Sequence, residues 1–174
     1  MSLVDLQFLS RELKSLDDTG VELVACGIWR DRRPFAGLAG LLDWRLAGKL
    51  SQLARDGFLI GEVGEALFLP GRPRTPFDKV LVLGLGTRDG FGASTFSTVL
   101  DKLLASLEGL RVRRAVVELP GRADGAFDAE TAAKMVLDRV GDAPTHDAWW
   151  LVEDAEGERR MARRAQEERR RARA

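Results

Sequence analysis

Two rhythms of apolar residues alternate along this chain. In residues 4–8, Val4, Leu6 and Phe8 stand at every second position, the period of a strand. After the turn chemistry of Asp17-Asp18-Thr19-Gly20, residues 21–28 are apolar almost throughout, which predicts a strand buried on both faces. Beyond the charged loop Arg30-Asp31-Arg32-Arg33-Pro34 the rhythm changes. Leu41, Leu42, Leu46, Leu50 and Leu53 recur at helical spacing, predicting one helix over 38–54. Asp56-Gly57 ends it, because glycine takes the left-handed cap conformation at little cost. Residues 65–69 read as a strand closed by Pro70-Gly71-Arg72-Pro73. Residues 79–84 are the clearest buried strand and run into Gly84-Leu85-Gly86-Thr87-Arg88-Asp89-Gly90-Phe91-Gly92. A helix over 94–108 carries Phe96, Val99, Leu100, Leu103, Leu104 and Leu107. A strand over 114–119 is closed by Pro120-Gly121. Asp128 is placed to cap a helix through Val140, with Gly141 as its stop, and residues 148–152 form a last strand.

The order β-β-α-β-β-α-β-α-β implies an α/β fold with a mixed, mostly parallel central sheet and helices on both faces. No internal repeat interrupts it. The chain of 174 residues, 45% hydrophobic, suits one domain over 1–153 with an appendage over 154–174. That appendage changes character: from Arg159 onward it holds eight arginines and two glutamates. Arg163 with Glu167 and Arg164 with Glu168 stand at i,i+4 and support a helix. Its uncharged residues are mainly alanine, so the tail is expected to be a weakly anchored helix or disordered.

Charge narrows the function classes. The formal net charge is +0, so any case for nucleic acid must rest on a local patch. No apolar run approaches the roughly 20 residues that span a bilayer. Nor does a basic stretch followed by a long apolar one open the chain, so the expected location is the cytoplasm, with no membrane partner. Cys26 is the single cysteine, which excludes an intramolecular disulfide, and its apolar surroundings predict a buried thiol.

Residues 33–92 resemble the N-terminal domain of the leucine (cytosol) aminopeptidase family. The matching pieces are Arg33-Pro34-Phe35-Ala36-Gly37, Leu42-Asp43-Trp44-Arg45-Leu46-Ala47-Gly48, Phe58-Leu59-Ile60-Gly61-Glu62 and, most specifically, Lys79-Val80-Leu81-Val82-Leu83-Gly84-Leu85-Gly86. The helix, strand ending in Leu119-Pro120 and helix that follow extend the similarity to about residues 1–153. The resemblance implies a macro-domain-like three-layer α/β/α fold, to which the charge spacing adds a C-terminal helical tail. In that family the catalytic site lies in a separate C-terminal domain that holds two metal ions with a lysine and several carboxylates, including an Asn-Thr-Asp-Ala-Glu-Gly-Arg stretch. No such stretch occurs in this sequence. No catalytic or metal residue carries over, and the expectation is a non-enzyme without cofactor. The family's enzymes are hexameric, which implies self-association or docking onto a full-length aminopeptidase.

The residues themselves leave three candidate features. Gly84, Gly86, Thr87, Gly90 and Gly92 form a strand-to-helix turn whose backbone N–H groups could hold the phosphate of a nucleotide or ADP-ribose-type ligand. The spacing G-x-G-x-x-x-G is not the dinucleotide pattern, and the first reading of the glycines is that they let the chain turn sharply and pack closely. Arg159, Arg160, Arg163, Arg164, Arg169, Arg170 and Arg171 make the tail an interaction candidate for a protein partner, although a solvated helical tail with no partner is the more common arrangement. Nucleic acid is disfavoured there, since the tail has no aromatic residue to stack on bases. Trp149 and Trp150 place one indole on each face of a strand: one in the core, Trp150 covered by a helix or part of an interaction surface. Trp29 and Trp44 read as packing residues. His146 is the only histidine and reads as a surface residue. Asp124, Asp128 and Glu130 have no metal or hydrolase spacing, and Ser94, Ser97 and Ser106 lack a nucleophile-elbow context.

Overall fold

The computed structural model describes residues 5–140 and 148–174. Among these residues six strands form one sheet: β1 (Asp5–Leu9), β2 (Leu23–Ile28), β3 (Ala66–Pro70), β4 (Lys79–Gly84), β5 (Arg114–Val117) and β6 (Ala148–Val152). Their order is β1-β6-β5-β2-β4-β3. Every pairing is parallel except β3 with β4, where Phe68 faces Leu81 across the antiparallel ladder. The expected mixed, mostly parallel sheet is therefore present.

Strand alternation builds two cores from one sheet. Leu23 and Ala25 of β2 join Leu81, Leu83, Ala115, Val117 and Trp149 on one face, under α4 (Ala93–Gly109), α5 (Ala129–Val140) and α6 (Ala155–Arg171). Val24, Cys26 and Ile28 join Val80, Val82, Val116 and Val152 on the other, under α1 (Leu13–Asp17), α2 (Gly37–Arg45) and α3 (Lys49–Arg55). This is the three-layer α/β/α arrangement, with strands buried on both faces as their apolar composition demands.

Three sequence expectations change in detail. The single helix over 38–54 is two helices, because Ala47 and Gly48 adopt positive φ of 58° and 77° and reverse the chain between them. Asp43 then caps α3 from the preceding helix: its carboxylate accepts from the Ser51 N–H at 3.0 Å and from the Ser51 hydroxyl. Trp44 is not a packing residue. It is 74% exposed, since α2 turns only its Leu38, Ala39 and Leu42 side inward. The third change is α1, a short helix that no periodicity announced.

Other expectations hold. Gly57 takes φ of 79° where α3 ends. Asp128 caps α5, accepting from the Thr131 N–H at 2.9 Å; these bonds and Arg160 hold its carboxyl below the ordinary range. Cys26 is buried, and burial raises its thiol far out of the reactive range. Trp29 is buried and meets Phe91 edge-to-face at 5.1 Å. The proposed stop at Gly141 and the surface role of His146 lie outside the described residues.

The tail is a 17-residue helix, and it is anchored more firmly than its alanine-rich composition suggested. Asp154 caps it through the Gly157 N–H at 2.7 Å. Met161 and Gly157 are buried against the rest of the domain. Arg160 reaches Asp128 and Glu130 of the α5 start, and Arg163 also reaches Glu130. Arg164 meets Glu168 at 2.7 Å as the spacing predicts, whereas Arg163 turns to α5 instead of Glu167. Beneath the helix start, Arg122 and Glu153 form a bidentate pair at 2.8 and 3.0 Å, with side chains only 9% and 2% exposed.

Candidate functional site

Parallel strands leave their carboxyl ends open, and a crevice forms where neighbouring connections diverge. Here β2 continues into Trp29 and the charged loop, β4 into Leu85, and β5 into Glu118 and Leu119. Between them lies a cavity of about 270 Å³ whose walls include Ile28, Arg32, Phe35, Leu85, Glu118 and Asp124.

Glu118 dominates its chemistry. The residue directly follows the buried strand β5 and is itself only 4% exposed. Its carboxylate accepts from the Leu38 N–H at 3.1 and 3.2 Å, and from Arg11 Nε at 2.7 Å. α2 has no side-chain cap from its own Ala36, so Glu118 supplies one across the fold. Gly37 makes room for it: at φ of 60°, a Cβ there would stand 2.7 Å from Glu118 Oε1. Burial pushes the Glu118 carboxyl above its ordinary range, and Glu153 adds to this, while Arg11 and the Leu38 N–H pull it back. The helix end that faces the cavity thus already holds a carboxylate from the chain itself.

The glycine-rich turn stands mostly apart from this cavity, contributing Leu85 to its wall. Leu85 N–H donates to the Ile28 carbonyl at 3.0 Å, Gly86 N–H to the Gly61 carbonyl at 2.8 Å, and Arg88 N–H to Asp31 at 3.2 Å. A Cβ at Gly84 would lie 1.8 Å from the Glu62 carbonyl oxygen, and one at Gly86 2.9 Å from Val63. These two glycines therefore admit the 61–65 loop against the end of β4. Thr87 and Gly90 are exposed, and Gly92 begins α4.

The tail arginines divide by face. Arg160, Arg163, Arg164 and Arg171 carry ion pairs. Arg159, Arg169 and Arg170 are exposed on the outward side of α6. Trp150 is half-buried against the α1–α3 core, with the Arg114 guanidinium 5.2 Å above its ring. Asp124, Asp128 and Glu130 each bind an arginine rather than one another. Among the described residues, no group of three or more His, Cys, Asp or Glu is arranged to hold a metal ion. No described helix is long and apolar enough to cross a membrane.

Sequence reasoning missed Glu118 and Arg11. The available signal was a carboxylate directly after an apolar strand, in Val116-Val117-Glu118-Leu119-Pro120. Its partners lie 80 and 107 positions away, so spacing could not connect them.

Comparison with known proteins places this geometry. Residues 24–139 match the N-terminal domain of the cytosol aminopeptidase family. A probable cytosol aminopeptidase of Halorhodospira halophila is 33% identical over 97 residues, covering 56% of this chain and 19% of that protein. The cytosol aminopeptidase of Pseudomonas aeruginosa strain PAO1 is 26% identical over 110 residues, covering 63% and 22%. The chain thus spans about a fifth of the length of these relatives. Among solved structures, the macrodomain of Mycobacterium tuberculosis DarG superposes with TM-score 0.69 at 12% identity, covering 87% of this chain and 99% of its own. The Trypanosoma brucei macrodomain in complex with ADP-ribose gives 0.71 at 13%, covering 92% and 68%. A tomato leucine aminopeptidase mutant gives 0.62 at 16%, covering 93% and 35%. At these identities the structures establish a macrodomain-like fold alone. With its match running from β2 through most of α5, the chain belongs to the cytosol aminopeptidase family, as that family's N-terminal domain.

Proposed function

We propose that this chain works as a non-catalytic interaction and assembly module in the cytoplasm, through self-association or docking onto a full-length aminopeptidase. The observation that carries the reading is Glu118. The α2 start is the natural place for an anionic ligand in the strand-end cavity, and a buried, ion-paired carboxylate of the chain already fills it. Large apolar side chains stand open to solvent elsewhere, Trp44 and Phe58 most of all. Light scattering coupled to size-exclusion chromatography tests the proposal, alongside mixing with a purified aminopeptidase of the family. A defined oligomer or a stable mixed complex is expected. A monomer at high concentration that leaves the aminopeptidase unbound would sink it.

A second reading makes the strand-end cavity a site for a nucleotide or ADP-ribose-type ligand. It is favoured by the cavity itself and by the fold shared with a macrodomain solved in complex with ADP-ribose. On this reading Glu118 competes with the ligand. ADP-ribose then raises the melting temperature of Glu118→Gln more than that of the unaltered protein; equal or absent shifts count against it.

A further inference from the structure

A second cavity lies at the other end of the sheet, between the turn joining α2 to α3 and the turn joining β3 to β4. Its volume is about 380 Å³, and its walls include Leu46, Lys49, Leu69, Arg72 and Arg74. Among the described residues, no carboxylate lines it. Arg72 leans on Asp78 at 2.6 Å, but Lys49 and Arg74 form no ion pair among the described residues. The chain therefore gathers three cations around one concavity and neutralises one of them, although the molecule as a whole carries net charge +0.

The walls are held in place without using those two charges. Gly71 N–H donates to the Asp78 carbonyl at 2.8 Å, and Thr75 N–H to the Gly71 carbonyl at 3.0 Å. The buried Thr75 hydroxyl donates to the Phe77 carbonyl at 3.0 Å. A Cβ at Gly71 would lie 2.3 Å from that same carbonyl oxygen, so the turn closes only around glycine. Arg45, held by both oxygens of Asp17, also donates to the Arg74 carbonyl. On the facing wall, the left-handed residues Ala47 and Gly48 fix the turn that presents Lys49. Backbone positions on both sides are set before any ligand arrives, which reduces the ordering cost of binding.

We infer that this cavity binds a small organic phosphate. A phosphate monoester carries close to two negative charges at neutral pH. Lys49 offers a point charge, and Arg74 offers paired donors that match phosphate oxygens. Leu46, Leu69 and Pro70 give the organic part an apolar wall. The site is distinct from the strand-end cavity and owes nothing to the assembly reading.

An NMR titration of the ¹⁵N-labelled chain with AMP, adenosine and inorganic phosphate tests this. Saturable AMP shifts are expected at residues 47–49 and 71–74, with inorganic phosphate competing and adenosine binding far more weakly. Lys49→Ala with Arg74→Ala should weaken AMP by about tenfold or more. Neither side chain holds the fold, so the remaining resonances of that variant should stay in place. The inference is overturned if AMP does not bind saturably, if adenosine binds as well as AMP, if the shifts gather at Ile28, Leu85 and Leu119 instead, or if the double variant binds unchanged.

Discussion

At the scale of single residues, Glu118 and Gly84 show opposite uses of close approach. Glu118 is a carboxylate drawn into the interior by Arg11 and the start of α2. Its folded carboxyl stands above its unfolded value. A raised carboxyl means the folded state holds the proton more tightly, so this group's contribution to stability is fullest below the unfolded value and is lost as pH rises through the folded one. Glu118→Gln keeps the shape and removes the titration. Urea unfolding between about pH 4 and about pH 8 should find the variant gaining on the parent as pH rises; a constant difference would contradict the raised carboxyl. Gly84 stands where no side chain fits, 1.8 Å from the Glu62 carbonyl oxygen. Gly84→Ala should cost about 1–3 kcal/mol or more by chemical denaturation, because rigid backbone must move.

At the scale of elements, α6 is held more by its root than by its length. Its buried contacts are Gly157 and Met161, and the Arg122–Glu153 pair lies directly below them. A Cβ at Gly157 would stand 2.1 Å from Glu153 Oε2, so the helix begins on top of that pair. Arg122 also donates to the Phe127 carbonyl at 2.6 Å, which ties the 121–127 loop to the same point. Arg122→Ala leaves Glu153 buried without its partner and should cost about 3–5 kcal/mol. Hydrogen exchange should then rise first in α6. Replacing Arg159, Arg169 and Arg170, exposed on the outward side of α6, should instead leave stability nearly unchanged, since surface substitutions away from buried contacts stay within about 0.5 kcal/mol.

At the scale of the whole molecule, the sheet separates two cores that share strands but few side chains. Ile28 belongs to the α1–α3 side and Leu100 to the α4–α6 side. Ile28→Val should cost about 0.5–1.5 kcal/mol and Leu100→Ala about 2–5 kcal/mol, and the two should add within about 0.5 kcal/mol. A larger coupling would mean the layers communicate through the sheet. Much of this architecture was legible in the chain. Strand and helix rhythms located β1 to β6, α4 and α5, because burial on one or two faces dictates which positions are apolar. Asp128 and Gly57 announced their helix ends because capping is a local bargain between a side chain and its nearest backbone groups. The strand end, the glycines and the arginine run were visible too, but not their use. Only the tertiary structure decided that Gly84 and Gly86 receive the 61–65 loop, that Arg160 and Arg163 bind α5, and that Trp44 faces water. It alone brought Glu118 to the start of α2, and Lys49 to Arg74 across a cavity. The physical reason is range. Periodicity and capping act over a few residues, whereas the charge and burial of a side chain are set by whatever distant segment folds against it.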